Sequence, residues 1–494
     1  MKTIKTIISS RPLVIAFLIL LYSNTVSSQV KVGDNPGTID ASAVLELEST
    51  EKGMLFPRMT TVQRTAISNP ANGLIVFDTD LNEFVFFRSG EWSVMDSETK
   101  RSNYKLVQNA ADLSEELTAG GGAFYLLDST KYYEINGAVA LSAPIDINGA
   151  YISGLDANED KLITSGGTIF TGSKGGSIRS LTLVAANGTI FNLSGSGSET
   201  LVFQNCTVSG SGGTTDNLGS ISNYNVVFLN IINIVNFDDG IVYSNINNLL
   251  LSNVAWFESN SGTFETYSGA FDLIQKKSGF CKVPSGATGI DVSSNPTVAS
   301  GNLLKVPFSG AGTYINGYTT GTYSGYFFTK SWNVDCPGIK KESDGVANAD
   351  FYYTGSLTTG FTQTMGSSPA EVEGTGTFSS NHLFRFISSN GGNRLTYDGE
   401  RTREFQVTAS LSARITNALG DFYAFLIYKN GAPVTESNAI LYVDASNGNS
   451  QIQNISMNAI VELEPGDYIE VYANRLTGSG SDTMVIFSEN LSIK

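Results

Sequence analysis

Three stretches of the chain share one pattern. Leu201-Val202-Phe203-Gln204-Asn205-Cys206, Val226-Val227-Phe228-Leu229-Asn230-Ile231 and Leu249-Leu250-Leu251-Ser252-Asn253-Val254 each read apolar-apolar-apolar-x-Asn-apolar. Their Asn residues fall 25 and then 23 positions apart, and a looser line from Ile178 to Val184 precedes the first by about one period. Each is a short run with strand propensity, and Gly/Ser/Asn-rich stretches separate them. Repetition at this period predicts a coil-by-coil solenoid, in which a rung buries its apolar face only against its neighbours. The Asn side chains are then expected to stack from rung to rung, with their amides hydrogen-bonded along the ladder.

The bulk numbers agree with an all-β chain. At 494 residues there is room for about three domains. Glycine is abundant at 51 residues, proline scarce at 12, and only 15% of residues are charged. Aromatics at 11% give ample apolar surface to bury, which excludes a disordered chain. A net charge of −16 argues against nucleic acid as a ligand. No CxxC motif, no His cluster and a single histidine, His382, leave no basis for a zinc or haem site, so neither metal nor cofactor is expected. Of the three cysteines, Cys206 falls inside a strand line and reads as a small buried hydrophobe, whereas Cys281 and Cys336 are candidates to pair after export.

Export is expected because residues 1–28 have the layout of a signal peptide. Lys2, Lys5 and Arg11 precede the apolar run Leu13 to Tyr22, and Val26 and Ser28 stand at −3 and −1 of a cleavage site. Removing those three cations from a net −16 leaves a mature chain at −19 that begins at Gln29 and is secreted or held at the cell surface. No lipoprotein cysteine follows the site, and no sorting domain is expected after the final strand.

Residues 29–96 form a unit of their own. Leu45-Glu46-Leu47-Glu48-Ser49, Lys52-Gly53, Pro57-Arg58-Met59-Thr60, Gln63-Arg64, then Gly73-Leu74-Ile75-Val76-Phe77-Asp78-Thr79 and Phe84 to Trp92 follow in order. These blocks resemble a module found just after the signal peptide in many secreted proteins of Gram-negative bacteria and in related fibre proteins. The resemblance implies a surface-attachment or fibre-base segment. Residues 104–316 hold the strand lines, and Asp112 to Leu117 are expected to form a helical turn or two that caps the open end. With Ile178 to Leu183 and Gly188 to Phe191, the Asn-bearing lines resemble the right-handed parallel β-helix of the pectate-lyase-like superfamily. That is a likeness of architecture and implies no single activity.

Residues 317–380 read as an irregular collar of short strands whose order the sequence does not give, with Trp332, Cys336 and Tyr352-Tyr353 as packing residues. Beyond them, Phe405, Val407, Ala409, Leu411, Ala413 and Ile415 alternate with polar residues, which predicts a strand with one buried face. Asn430-Gly431 signals a hairpin. Glu464 to Val471, with Met484 to Ile493, makes residues 381–494 resemble the jelly roll of complement heads and tumour necrosis factor. That family forms compact trimers, so the resemblance implies a homotrimer assembled through this tip.

Two groups of residues carry candidate chemistry. Asp238 and Asp239, inside the solenoid, are a carboxylate pair of the kind glycoside hydrolysis uses. Adjacent residues on a strand point to opposite faces, and a turn explains an Asp-Asp-Gly equally well. Lyase chemistry would need a base such as Arg179 beside metal-binding acids, and Glu258 and Glu265 are scattered. Trp256, Phe257 and Tyr267, with Phe264 and Phe271 nearby, form an aromatic cluster that is either a glycan-stacking strip or a core. The order of parts resembles a bacteriophage tail fibre or tail spike, or an adhesin-like bacterial surface protein. The expected function is non-enzymatic receptor binding by a homotrimer, with a glycan as the first candidate ligand. A tail-spike-type polysaccharide hydrolase or lyase and a purely structural spacer are the rival readings.

Overall fold

The structure is a computed structural model that describes residues 29–33, 37–95, 103–212, 215–416, 418–444 and 451–494. The expected signal peptide and most of the polar stretch after residue 96 lie outside the described residues.

The chain divides into two units, residues 1–101 and 102–494. In the first, strands Val30–Gly33 and Leu45–Glu48 pair in parallel, and a four-stranded sheet follows from Arg58–Met59 to Glu91–Val94. The ordered blocks of the sequence meet each other here. Thr60 and Gln63 form a capping box at the start of a short helix, Thr61–Thr65. Arg64, from that helix, donates through Nε to the buried Asp78 carboxylate at 2.7 Å and lies over the Trp92 ring. Burial opposes ionisation of Asp78, yet Arg64, the Thr61 hydroxyl and the Leu81 and Asp80 amides hold its carboxyl down to about 2. By contrast Val30, Val32, Val44, Leu45, Leu47, Leu55 and Val62 all stand exposed. That is far more open aliphatic surface than a segment of this size leaves in water on its own.

The second unit begins as a parallel β-solenoid of about eight turns. Its strands form three ladders. One runs from Tyr125–Leu126 through Gly167–Gly172 to Thr313–Asn316, the second from Tyr104–Val107 to Trp332–Asp335, and the third from Ala138–Ala140 to Phe308–Ser309. Inward positions repeat in register. In the second ladder Ile152, Ile178, Phe203, Leu229 and Leu251 stack, and in the third Val139, Leu162, Leu183, Val208 and Ile234 do. Each such side chain taken from water contributes about 1.5–3 kcal/mol, so the column is the main source of stability. The expected cap is present: Asn109 and Asp112 close a capping box on a 3₁₀ turn, helix Ser114–Ala119 follows, and Leu113 and Leu117 pack on the solenoid core.

The Asn repeat has a different cause from a side-chain ladder. Gln204, Asn230 and Ser252 are the residues in register, so the three Asn do not align. The next position, occupied by Asn205, Ile231 and Asn253, turns the corner between two ladders with φ of 54°, 56° and 53°. Asn is favoured there because its short polar side chain tolerates the left-handed region. One amide link, Asn253 Nδ2 to Asn230 Oδ1 at 3.5 Å, is all that joins them. Ile231 is the misfit, a β-branched residue at positive φ with its side chain 49% exposed. Ile231→Asn is therefore expected to raise the thermal midpoint of the solenoid, by about 1 kcal/mol of relieved strain. A lower midpoint would show that the exposed isoleucine is itself in contact with something.

All three cysteines are free and buried. Cys281 and Cys336 do not pair: Cys281 follows Trp256 in the third ladder, and the Cys336 thiol accepts from the Val306 amide at 3.3 Å. Burial pushes the Cys206 and Cys281 thiols up to about 12, which leaves both as inert hydrophobes.

A β-sandwich of two antiparallel sheets completes the chain. The alternating segment is strand Arg403–Thr416, with Phe405 to Ile415 inward, flanked by Gln453–Leu463 and Asp482–Ile493. Asn430 and Gly431 form the two-residue turn between Lys429 and Ala432, both at positive φ. The irregular collar is shorter than expected. Strand Asn348–Tyr353 pairs with the last strand, Asp482–Ile493, and Phe361–Met365 does the same, so much of residues 317–380 belongs to the sandwich. The short strands expected here could not be ordered from the sequence, because Asp482–Ile493 and Tyr468–Arg475, with which they pair, lie more than 100 residues downstream.

Candidate functional site

The solenoid acids come first, because paired carboxylates are the expected catalytic group. Asp238 Oδ2 accepts from the Asp216 amide, one rung back, at 3.0 Å. Asp239 Oδ1 accepts from the Gly240 amide at 3.0 Å and from the Thr263 amide, one rung on, at 2.9 Å. The fully buried Asp216 caps the Ser211 and Asn187 amides in the same way. These carboxylates hold the turns of successive rungs, and the two neighbours reach toward opposite rungs. They line an open depression of about 770 Å³ with Thr215, Asn217 and Thr263. The scattered acids do not join them: Glu258 pairs with Lys282, and Glu265 is in the core. Arg179 lies over the Tyr151 ring instead. Among the described residues no cluster of His, Cys, Asp or Glu has the arrangement of a metal site.

The aromatic cluster is mostly core. Trp256 stacks on Phe264 at 4.7 Å between ring centroids, and Tyr267 lies against Tyr243 and Phe271 inside the solenoid. Both Trp256 and Tyr267 are fully buried, so neither offers a face to a sugar. Their polar ends are satisfied inside, where the Trp256 Nε1–H and the Tyr267 hydroxyl donate to Glu265. Phe257 alone of the three keeps an open side, 37% exposed, and its ring meets Phe280 edge-on.

The larger hollow lies where the solenoid ends and the sandwich begins. A cleft of about 1310 Å³ is lined on one wall by Tyr323, Tyr326, Lys330 and Lys340, and on the other by His382, Ile387 and Asp398. Its walls are pinned together by named bonds. The Asp398 carboxylate accepts from the Tyr323 hydroxyl at 2.8 Å and from Lys330 Nζ at 3.1 Å. Burial and then that carboxylate keep the Tyr323 phenol protonated, well above its usual range. Beneath the floor, buried Arg385 donates to the Lys330 and Trp332 carbonyls. Glu342 accepts from the Phe327 and Phe328 amides at 2.9 and 3.0 Å, which shapes the loop carrying Tyr326.

Two features mark the cleft apart. Tyr326 lies flat on the buried Phe384, 3.9 Å between centroids and 13° between planes, and Lys340 Nζ sits 3.5 Å from the Tyr326 centroid. His382, on the opposite lip, and the buried Arg385 beneath the floor both adopt positive φ, 53° and 59°. Non-glycine residues are held in that region at a cost, and such positions concentrate at functional sites. His382 Nδ1 meets the Asp350 carboxylate at 2.5 Å, with the imidazole otherwise in solvent. Sequence reasoning missed this site. The aromatic run Tyr323-Ser324-Gly325-Tyr326-Phe327-Phe328 was the available signal, but its partners on the opposite wall, Phe384 and Asp398, stand more than 50 residues away.

Comparison with known proteins adds to this geometry. No curated protein matches the chain in sequence. Among solved structures, the tailspike protein of Acinetobacter phage vB_ApiP_P1 is 9% identical over 88% of this chain and 99% of its own, with a TM-score of 0.29. The enzymatically active domain of bacteriophage CBA120 tailspike protein 4 is 9% identical over 89% of this chain and 77% of its own, with a TM-score of 0.18. An Eiger TNF from S. frugiperda is 13% identical over 30% of this chain and 91% of its own, with a TM-score of 0.21. The family model of a phage tail-like trimerisation region matches residues 32–109. Residues 32–109 thus resemble a phage tail-like trimerisation region, and the chain continues as a parallel β-solenoid with a C-terminal β-sandwich.

Proposed function

We propose that this is a homotrimeric, tail-fibre-like receptor-binding protein that is exported through residues 1–28, acts at the cell surface or outside it, and recognises a surface glycan without cleaving it. The observation that carries the reading is the order of parts in one chain: a trimerisation-region match, then a rigid solenoid shaft, then a β-sandwich tip. The exposed aliphatic residues between Val30 and Val62 support assembly, because three copies would cover them. The sandwich adds a second contact between copies, as its jelly-roll likeness implies. Three weak sites on one rigid stem gain by avidity, which suits a glycan receptor displayed in many copies.

The turn-capping roles of Asp238 and Asp239 support the non-enzymatic part. The double variant Asp238→Asn with Asp239→Asn is expected to bind an array of bacterial surface polysaccharides as the parent does, with no reducing ends released by either protein. It loses about 1 kcal/mol of stability through weakened turn hydrogen bonds. Reducing-end release by the parent that disappears in the variant would establish a tail-spike hydrolase instead.

A further inference from the structure

The walls of the cleft between solenoid and sandwich are joined by the Asp398, Arg385 and Tyr326 contacts, and the hollow between them stays open. We propose that it is the glycan-binding site, taking an oligosaccharide segment that stacks one sugar ring on Tyr326. This inference rests on the glycan reading above and gives it a place.

Size is the first argument. A cleft of about 1310 Å³ exceeds the range of roughly 300–1,000 Å³ that single small ligands occupy, so an extended ligand fits it better. Chemistry is the second. A sugar ring has an apolar face and a rim of hydroxyl groups, and it needs a flat aromatic surface with donors and acceptors around it. Tyr326 supplies the surface, held rigid from behind by Phe384. Ser324, Thr329, Ser380 and Asn381 supply hydroxyl and amide groups on both walls, and Glu400 a carboxylate.

Other ligand classes fit less well. Nucleic acid would meet a chain of net charge −16. A peptide added as a strand needs a regular edge, and strand Phe378–Phe384 is the edge of its sheet. That edge is interrupted, because the register shifts opposite Asn348 and Asp350 and His382 turns to positive φ. Such a bulge blunts an edge against strand addition.

Lys340 makes the proposal testable in both directions. Its ammonium lies over the Tyr326 ring, on the face that Phe384 leaves free, donates to the Gly325 carbonyl at 3.4 Å and has no carboxylate within ion-pair distance among the described residues. A sugar must displace it to stack. Binding of the full-length trimer to a printed array of bacterial capsular and O-chain polysaccharides, followed by titration of the best polysaccharide, reads the effect. Tyr326→Ala should weaken binding about tenfold or more per site, and Tyr326→Phe should keep it, since stacking needs the ring and not the hydroxyl. Lys340→Ala should strengthen binding by about two- to fivefold, because the cation–π contact no longer competes. A gain of this kind cannot come from misfolding. Parent-like binding by a folded Tyr326→Ala protein would overturn this site and leave the glycan reading standing, and so would a loss of binding in Lys340→Ala. Failure of the parent to bind any polysaccharide on the array would overturn the glycan reading itself, and this site with it.

Discussion

Replacing Lys276 by methionine is expected to destabilise the solenoid by about 3–5 kcal/mol, the largest effect of any single substitution in the shaft. Lys276 stands in an inward column, in register between Leu251 and Leu303, where neighbouring rungs place aliphatic side chains. Glu265 occupies the matching inward place in another ladder, between Ile241 and Ile290. The two meet in the core, Lys276 Nζ donating to Glu265 Oε1 at 2.8 Å, and both are fully buried. Trp256 Nε1–H and the Tyr267 hydroxyl complete the carboxylate's bonds at 3.1 and 2.7 Å. Removing the ammonium leaves a charge with no counter-ion in a medium that solvates it poorly, and that penalty is what unfolding relieves.

The pair itself is not expected to be worth that much. Adding Glu265→Gln to Lys276→Met should restore most of the loss, because the glutamine carbonyl still accepts from Trp256 while its amide N–H donates to the Tyr267 hydroxyl oxygen, and no charge remains buried. Guanidinium unfolding of the parent, the single variant and the double variant gives the coupling directly. A single variant as stable as the parent would show that water or a proton reaches Glu265, contrary to the sealed packing seen here.

Assembly carries the second large effect. The mature chain from Gln29 to Lys494 should sediment as a trimer, and removal of residues 29–101 should leave it monomeric at micromolar concentration. The trimerisation match spans residues 32–109, and the open aliphatic surface from Val32 to Val62 lies inside it. Polysaccharide binding should fall with it by about 10²–10⁴-fold, the contribution of multivalency, while each site keeps its own affinity. If the shortened chain stays trimeric, the sandwich carries assembly by itself, as its jelly-roll likeness implies. A monomeric mature chain would sink the fibre reading. The complementary cut belongs near residue 346. A cut at Ser380 would split strand Phe378–Phe384 and leave Asn348–Tyr353 without its partner.

Much of the architecture was legible in the sequence because it rests on local periodicity. A repeat of 23 to 25 residues with strand runs between turns admits few folds other than a solenoid, since each rung needs a neighbour to bury its face. Period two from Phe405 to Ile415 specifies a half-buried strand, and Asn430-Gly431 a tight hairpin, without reference to anything distant. Even the ordered blocks of residues 45–92 were readable, and Arg64 with Asp78 gives their physical reason.

Tertiary structure decided what depends on register between rungs. Whether Trp256 and Tyr267 face sugar or core turns on alignment with residues more than 20 positions away, and a shift of one residue would reverse it. The same alignment made the Asn residues corner-turners, and it brought Glu265 to Lys276. The cleft is the extreme case. Tyr326, His382 and Asp398 come from a loop and two strand ends that no local pattern relates. The sequence by itself determined which segments must bury a face and at what spacing. Only the folded chain decided which groups those faces bring together, because hydrophobic burial is non-directional while hydrogen bonds, ion pairs and ring stacking act over a few ångströms.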